Sequence, residues 1–272
     1  MGKLGLEELG ETYLSKIQVL YPAQESCPAD AMEAKWAGRE PLTVVFCGRD
    51  YESKNGRMAL EIFNRLSREF TAHRFVYIGN VPQEELRRRG ELPTSVVYHQ
   101  SLPHKETLSV LKAAHILFHP SKFEGLGIIF LEAAASGMAV ITATGGAMRH
   151  VEELFGTGGA MLVDRDSVAQ SEEPSAFEAH LRRLLKNPGV AKTMASHNFN
   201  LATVGKLSPE RSRRVLLKVY EDALEKPAKT PLTLEQIPYR DRALLRFSSL
   251  QLGQEGRDYR RKANITQGRF LL

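Results

Sequence analysis

Between residues 42 and 163 the sequence alternates short apolar runs, rich in β-branched and aromatic side chains, with segments of helical spacing. The pattern predicts strands at 42–47, 75–79, 95–99, 116–119, 138–142 and 160–163. Helices are expected between them at about 57–70, 82–89, 105–113 and from Gly127 to about 136. Strands that alternate with helices pair in parallel, and a parallel sheet needs helices on both faces. The expected fold class is therefore α/β, with a doubly wound, Rossmann-like parallel sheet. Three more helices, near 175–186, 189–203 and 209–225, finish the domain. Upstream, 4–14 reads as a short helix and 17–21 as an apolar strand. Residues 23–41, with prolines, Gly38 and mixed charge, read as a linker.

The stretch 120–144 says most about chemistry. From Gly125 to Met148 it holds one charged side chain, Glu132, and a buried, unpaired carboxylate is costly enough that chains normally avoid it. A helix starting near Gly127 places Ile128, Leu131 and Ala135 on one face, with Glu132 at its edge. The start of that helix, flanked by Gly125 and Gly127, offers free N–H groups and a partial positive charge to an anion. Glu124 and Glu132, with seven residues between them, could accept hydrogen bonds from hydroxyls on either side of a bound phosphate. An anion flanked by polyols is a sugar nucleotide.

In a doubly wound sheet, ligands bind at the carboxyl ends of strands where the winding reverses. The loop after the first strand, from Gly48 to Gly56, carries Arg49 and Lys54, which could neutralise a diphosphate. Read alone, the same residues also describe a helix start with an acidic neighbour, a Glu132 held by an Arg, and two solvated loop cations. His115 and His119 flank a buried strand and read as structural.

The segment F-E-G-L-G-I-I-F-L-E-A resembles the E-x7-E segment of retaining glycosyltransferases of family 4, which have the two-domain GT-B fold. The resemblance implies that Glu124 touches the donor sugar. It implies that the backbone of Gly125, Leu126, Gly127 and Ile128 meets the sugar and diphosphate, and that Glu132 meets the ribose. The loop after the first strand is similar to a second motif of that family, in which an Arg after a Gly and a Lys before a helix hold the donor phosphates. This assigns Gly48 to binding, and Arg49, Lys54 and Glu124 to catalysis. The family's usual K-G is interrupted here by Asn55. The loop 99–103 stands where the family binds the base, through expected backbone contacts.

The resemblance covers residues 13–225 and implies the C-terminal, donor-binding half of a GT-B enzyme. The expected organisation is a remnant of the preceding domain and a linker over 1–41, the donor domain over 42–227, and a basic tail over 228–272. The acceptor domain, and a histidine that family members take from it, would be missing or separately encoded, the chain being either naturally split or derived from a longer one, so this chain alone is expected to be inactive. The substrate would be a nucleoside-diphosphate sugar, with no metal or other cofactor.

An alternative is a non-enzymatic module that keeps the same pocket for regulation. A weaker one is nucleic-acid binding through the tail, where 238–272 holds eight Arg and Lys against three acidic residues and so the whole formal charge of +5. Cys27 and Cys47 have neither metal-site nor disulfide spacing, and no G-x-G-x-x-G follows the first strand. Without a membrane-length apolar run or a signal peptide's apolar centre, the cytoplasm is the expected compartment, with peripheral membrane contact left open.

Overall fold

A computed structural model of the chain describes residues 19–38, 41–89 and 94–225. The chain divides into two compact units, 1–217 and 218–272; the first holds the sheet, and the described part of the second is the end of the last helix. The predicted helix at 4–14 and the basic tail lie outside the described residues.

Six parallel strands run in the order β3-β2-β1-β4-β5-β6: β1 Thr43–Cys47, β2 Arg74–Ile78, β3 Val96–His99, β4 Ile116–His119, β5 Ala139–Thr144 and β6 Ala160–Asp164. The chain winds outward from β1 to β3, returns to the other side of β1 as β4, and winds outward again. The reversal lies between β1 and β4, which pair through Val44 with Ile116 and Val45 with Leu117. All residues of β4 and β5 are buried, while edge strand β6 alternates. Burial on both faces explains why the central strands are continuously apolar rather than alternating.

The helices are α1 Ala29–Ala37, α2 Gly56–Glu69, α3 Gln83–Arg89, α4 His104–Ala113, α5 Ile128–Ala135, α6 His150–Phe155, α7 Glu173–Lys186, α8 Pro188–Thr203 and α9 Pro209–Glu225. Amphipathic spacing drives α2, which buries Met58, Ala59, Ile62, Phe63 and Leu66. Phe63 packs edge-on against Phe75 of β2 at 5.3 Å between ring centroids, so its truncation to Ala would cost about 3–5 kcal/mol.

Two expectations are corrected, and one helix lies where none was expected. The linker expected at 23–41 contains α1, whose Met32 and Trp36 are buried and whose Trp36 Nε1 donates to the carbonyl of Gly137 at 3.0 Å. This helix has weak amphipathic periodicity and is held by long-range contacts, so local pattern does not reveal it. Of the strand expected at 17–21, residues 19–21 are described and are not extended in a ladder. The Tyr21 carbonyl instead accepts from Ser212 Oγ of α9 at 3.0 Å. The additional helix is α6, which follows a 3-10 turn at Gly146–Met148 and which apolar periodicity does not predict.

Candidate active site

The site forms where β1 and β4 end. Gly48 N–H donates to the carbonyl of Ile78 at 2.9 Å, continuing the β1–β2 ladder into the loop. The backbones approach closely here, since a Cβ on Gly79 would lie 2.2 Å from the Gly48 carbonyl oxygen. The loop then folds on itself: Asp50 Oδ1 accepts from Ser53 N–H at 2.7 Å and Asp50 O from Lys54 N–H at 3.0 Å. Asn55 takes the left-handed conformation, φ 56°, that turns the chain into α2. Asn is among the side chains that tolerate this region, so the residue that interrupts the K-G pair does the conformational work of a glycine.

The loop from β4 to α5 is sewn to the first one. Lys122 N–H donates to Ser53 O at 2.8 Å, and Ser121 Oγ donates to Phe123 O at 2.8 Å. Just past β6, the Arg165 guanidinium donates to Pro120 O at 3.0 Å and Ser121 O at 2.6 Å, and pairs with Glu173 at 2.5 Å. Gly127 is left-handed, φ 70°, and a Cβ there would meet the Phe130 ring at 2.5 Å. Helix α5 starts at Ile128 without a side-chain cap. Phe130 N–H turns back to the Gly127 carbonyl at 2.8 Å, while Gly127, Ile128 and Ile129 line the cleft, so the helix start brings its partial positive charge there without a competing side-chain acceptor.

Eight of the nine predicted residues line one cleft of ~700 Å³: Gly48, Arg49, Lys54, Glu124, Leu126, Gly127, Ile128 and Glu132. That volume falls within the ~300–1,000 Å³ usual for small-molecule sites. Gly125 is exposed and does not line the cleft. The loop 99–103 supplies Gln100, Ser101 and Leu102 to the same cleft. Ile128 departs from its predicted face: it is half exposed at the cleft, whereas Leu131 and Ala135 enter the core. A second hollow, ~560 Å³ at the start of α9, contains none of the predicted residues.

The two carboxylates differ. Glu124 Oε1 accepts from Lys54 Nζ at 2.8 Å and from His119 Nε2 at 2.6 Å, and Lys54 Nζ also donates to Phe123 O at 3.0 Å. Burial pushes the Glu124 carboxyl up, but the His119 and Lys54 hydrogen bonds and charges outweigh it and hold it at about 2. Glu132 is buried, 8 % exposed, and burial raises its carboxyl above the ordinary range, opposed by His104 at 3.9 Å. No Arg pairs with it among the described residues. Arg49 is exposed at the cleft and forms no ion pair among the described residues.

Three site residues are not predicted by the sequence. His119, expected to be structural, lines the cleft and bonds Glu124; its place at the carboxyl end of a strand beside the winding reversal is the signal that could have found it. His115 is structural as expected: its Nδ1 accepts from Thr43 N–H at 3.0 Å and its Nε2 lies 3.1 Å from Lys35 O. His104, which opens α4, and Arg165, which braces the β4 loop, depend on contacts across 28 and 44 residues and leave no local trace. Among the described residues no cluster of His, Cys, Asp or Glu could hold a metal ion, and no helix is long and apolar enough to cross a membrane.

Known proteins resemble this chain in sequence and in fold. It is similar to the phosphatidylinositol N-acetylglucosaminyltransferase gpi3 subunit of Schizosaccharomyces pombe, with 29% identity over 119 residues, 42% of this chain and 26% of that protein. A phosphatidylinositol N-acetylglucosaminyltransferase subunit from Arabidopsis thaliana matches at 29% identity over 114 residues, 40% of this chain and 26% of that protein. The matched part thus spans about a quarter of the length of these curated relatives. Among solved structures, WaaG, a glycosyltransferase involved in lipopolysaccharide biosynthesis, superposes with a TM-score of 0.56 at 16% identity, over 74% of this chain and 55% of that one. The C-terminal domain of the group 1 glycosyltransferase LpcC from Francisella tularensis superposes over 68% of this chain and 95% of its own, at 21% identity and a TM-score of 0.50. These superpositions establish the fold, a Rossmann-like unit of the GT-B kind. The family model described as glycosyl transferases group 1 matches residues 41–187, more than half of the chain and the whole of the sheet, and the chain belongs to that family.

Proposed function

We propose that the chain is the donor-binding half of a retaining glycosyltransferase of family 4, and that its cleft holds a nucleoside-diphosphate sugar. One observation carries this reading: Arg49, Lys54, Glu124 and Glu132, drawn from two loops and a helix, converge on a single cleft at the winding reversal. Arg49, Lys54 and the start of α5 would hold the diphosphate and stabilise its charge as the bond to the sugar breaks, the contribution that preorganised donors make to group transfer. Two cations and a helix start offset that charge without a metal. Glu132 would accept from the ribose hydroxyls, and Glu124, acceptor-only when ionised, from the sugar hydroxyls. The new bond to the acceptor oxygen would form on the face from which the diphosphate departs.

The names of the relatives extend the proposal to N-acetylglucosamine as the sugar and a phosphatidylinositol as the acceptor. Both relatives are named as subunits, which supports a partner chain; in this proposal that chain would carry the acceptor domain, and the two would work in the cytoplasm at a membrane surface. Residues 42–227 would be the donor domain.

Calorimetric titration with UDP, GDP and ADP and their sugar conjugates tests the reading. Binding is expected for one base, weakened at least about tenfold by Lys54→Ala or Glu132→Ala. No binding by the wild-type chain, or binding indifferent to both substitutions, overturns it. Intact donor binding without transfer in the presence of the partner chain and a phosphatidylinositol acceptor would favour a binding module.

A further inference from the structure

His119 is 1 % exposed, at the end of β4 between Phe46, stacked at 6.1 Å, and Phe130, edge-on at 5.4 Å. The two rings fix the plane of the imidazole. Its Nε2 meets Glu124 Oε1, while its Nδ1 is buried with no partner among the described residues. The ring hydrogen that serves this network therefore sits on Nε2, an assignment made from the hydrogen bonds.

Lys54 and His119 approach Glu124 from different strand ends, yet both bond the same oxygen. Among the described residues nothing bonds Oε2. A carboxylate oxygen with two donors has its lone-pair directions filled, whereas the other keeps its capacity to accept. The carboxylate also cannot swing about its last torsion without leaving a buried imidazole N–H without its acceptor, which is costly.

We infer that His119 is a positioning residue that pins Glu124 Oε1 and so presents Oε2 as a fixed acceptor to hydroxyls of the donor sugar, leaving recognition of the nucleotide to other groups. This rests on the donor-binding reading above and adds the residue that makes the sugar contact directional. A flexible carboxylate would lose rotamer entropy when it binds sugar; one already locked does not. The groups facing Glu124 are Lys54 from the β1 loop, His119 from β4 and His150 from α6.

The test compares the affinities of UDP and UDP-N-acetylglucosamine, with the GDP–GDP-mannose and ADP–ADP-glucose pairs run alongside, in the full chain. His119→Phe keeps the ring between Phe46 and Phe130 and should leave nucleoside-diphosphate affinity unchanged while reducing the advantage of the sugar conjugate by about tenfold. His119→Gln, whose amide can donate, should restore most of that advantage. A general packing defect would lower both affinities together and would not be rescued. In the wild type, which needs no variant to fold, the sugar advantage should stay level from about pH 8 to about pH 5, because Glu124 remains ionised throughout. A His119→Phe protein with its sugar advantage intact, or a wild-type advantage that falls away across that interval, overturns the inference while nucleotide binding still stands. Failure of every nucleotide to bind overturns the donor reading and this inference with it.

Discussion

Lys54 Nζ stands 2.8 Å from Glu124 Oε1, although 70 positions separate the two residues in the chain. Lys54 also donates to Phe123 O, so one ammonium fixes both the backbone and the carboxylate of the loop after β4. Winding the chain from β1 out to β3 and back to β4 is what brings them together.

The pair predicts an acid dependence of stability. Glu124 is held at about 2 in the folded protein against 4.5 ordinarily. A depressed carboxyl contributes fully above its unfolded value and loses that contribution as pH falls through the folded one. Glu124→Gln should thus lose up to about 3 kcal/mol near neutral pH, and the gap to wild type should close as pH falls from about 4.5 towards about 2. Urea unfolding of both proteins across that range measures it.

Glu132 has the opposite sign. Burial raises its carboxyl, with His104 opposing, so it takes up a proton at higher pH than a free Glu. If the nucleotide's ribose donates to the ionised form, nucleoside-diphosphate affinity weakens on acidification already above the ordinary carboxylate range. Glu132→Gln should bind more weakly near neutral pH and show no such fall. Calorimetry with UDP on both proteins at stepwise lower pH reads the difference.

Helix α1 carries a buried cation. Lys35 Nζ donates to Ala114 O at 2.9 Å and to Ser136 O, and burial lowers its ammonium from 10.5 to about 8. Between those values the unfolded chain binds the proton and the folded one does not, so stability rises with pH across that interval. Thermal unfolding should show the midpoint increasing from about pH 7.5 to about pH 9.5 in wild type, with the increase diminished in Lys35→Met.

Asn198 of α8 is wholly buried, and its Nδ2 donates to Met138 O at 2.9 Å and Gly159 O at 2.8 Å, bracing the segments that enter β5 and β6. Asn198→Ala leaves two buried carbonyls without a donor and should cost about 2–4 kcal/mol. Because the brace lies away from the cleft, nucleotide affinity per folded molecule should not change. Denaturant unfolding and calorimetry on one preparation separate the two effects.

By itself the sequence determined the alternating order of strands and helices, because apolar periodicity and turn residues act over a few neighbours. It also singled out Glu132, since a charge inside a long uncharged stretch is expensive wherever that stretch is buried. Tertiary structure alone decided that Ala29–Ala37 is a helix, because Met32 and Trp36 find their partners around Gly137, a hundred residues on. It likewise made His119 part of the site and set the two glutamates apart. A side chain's ionisation and its use of one oxygen rather than the other depend on burial and on donors from other strands, and no local run of residues encodes those.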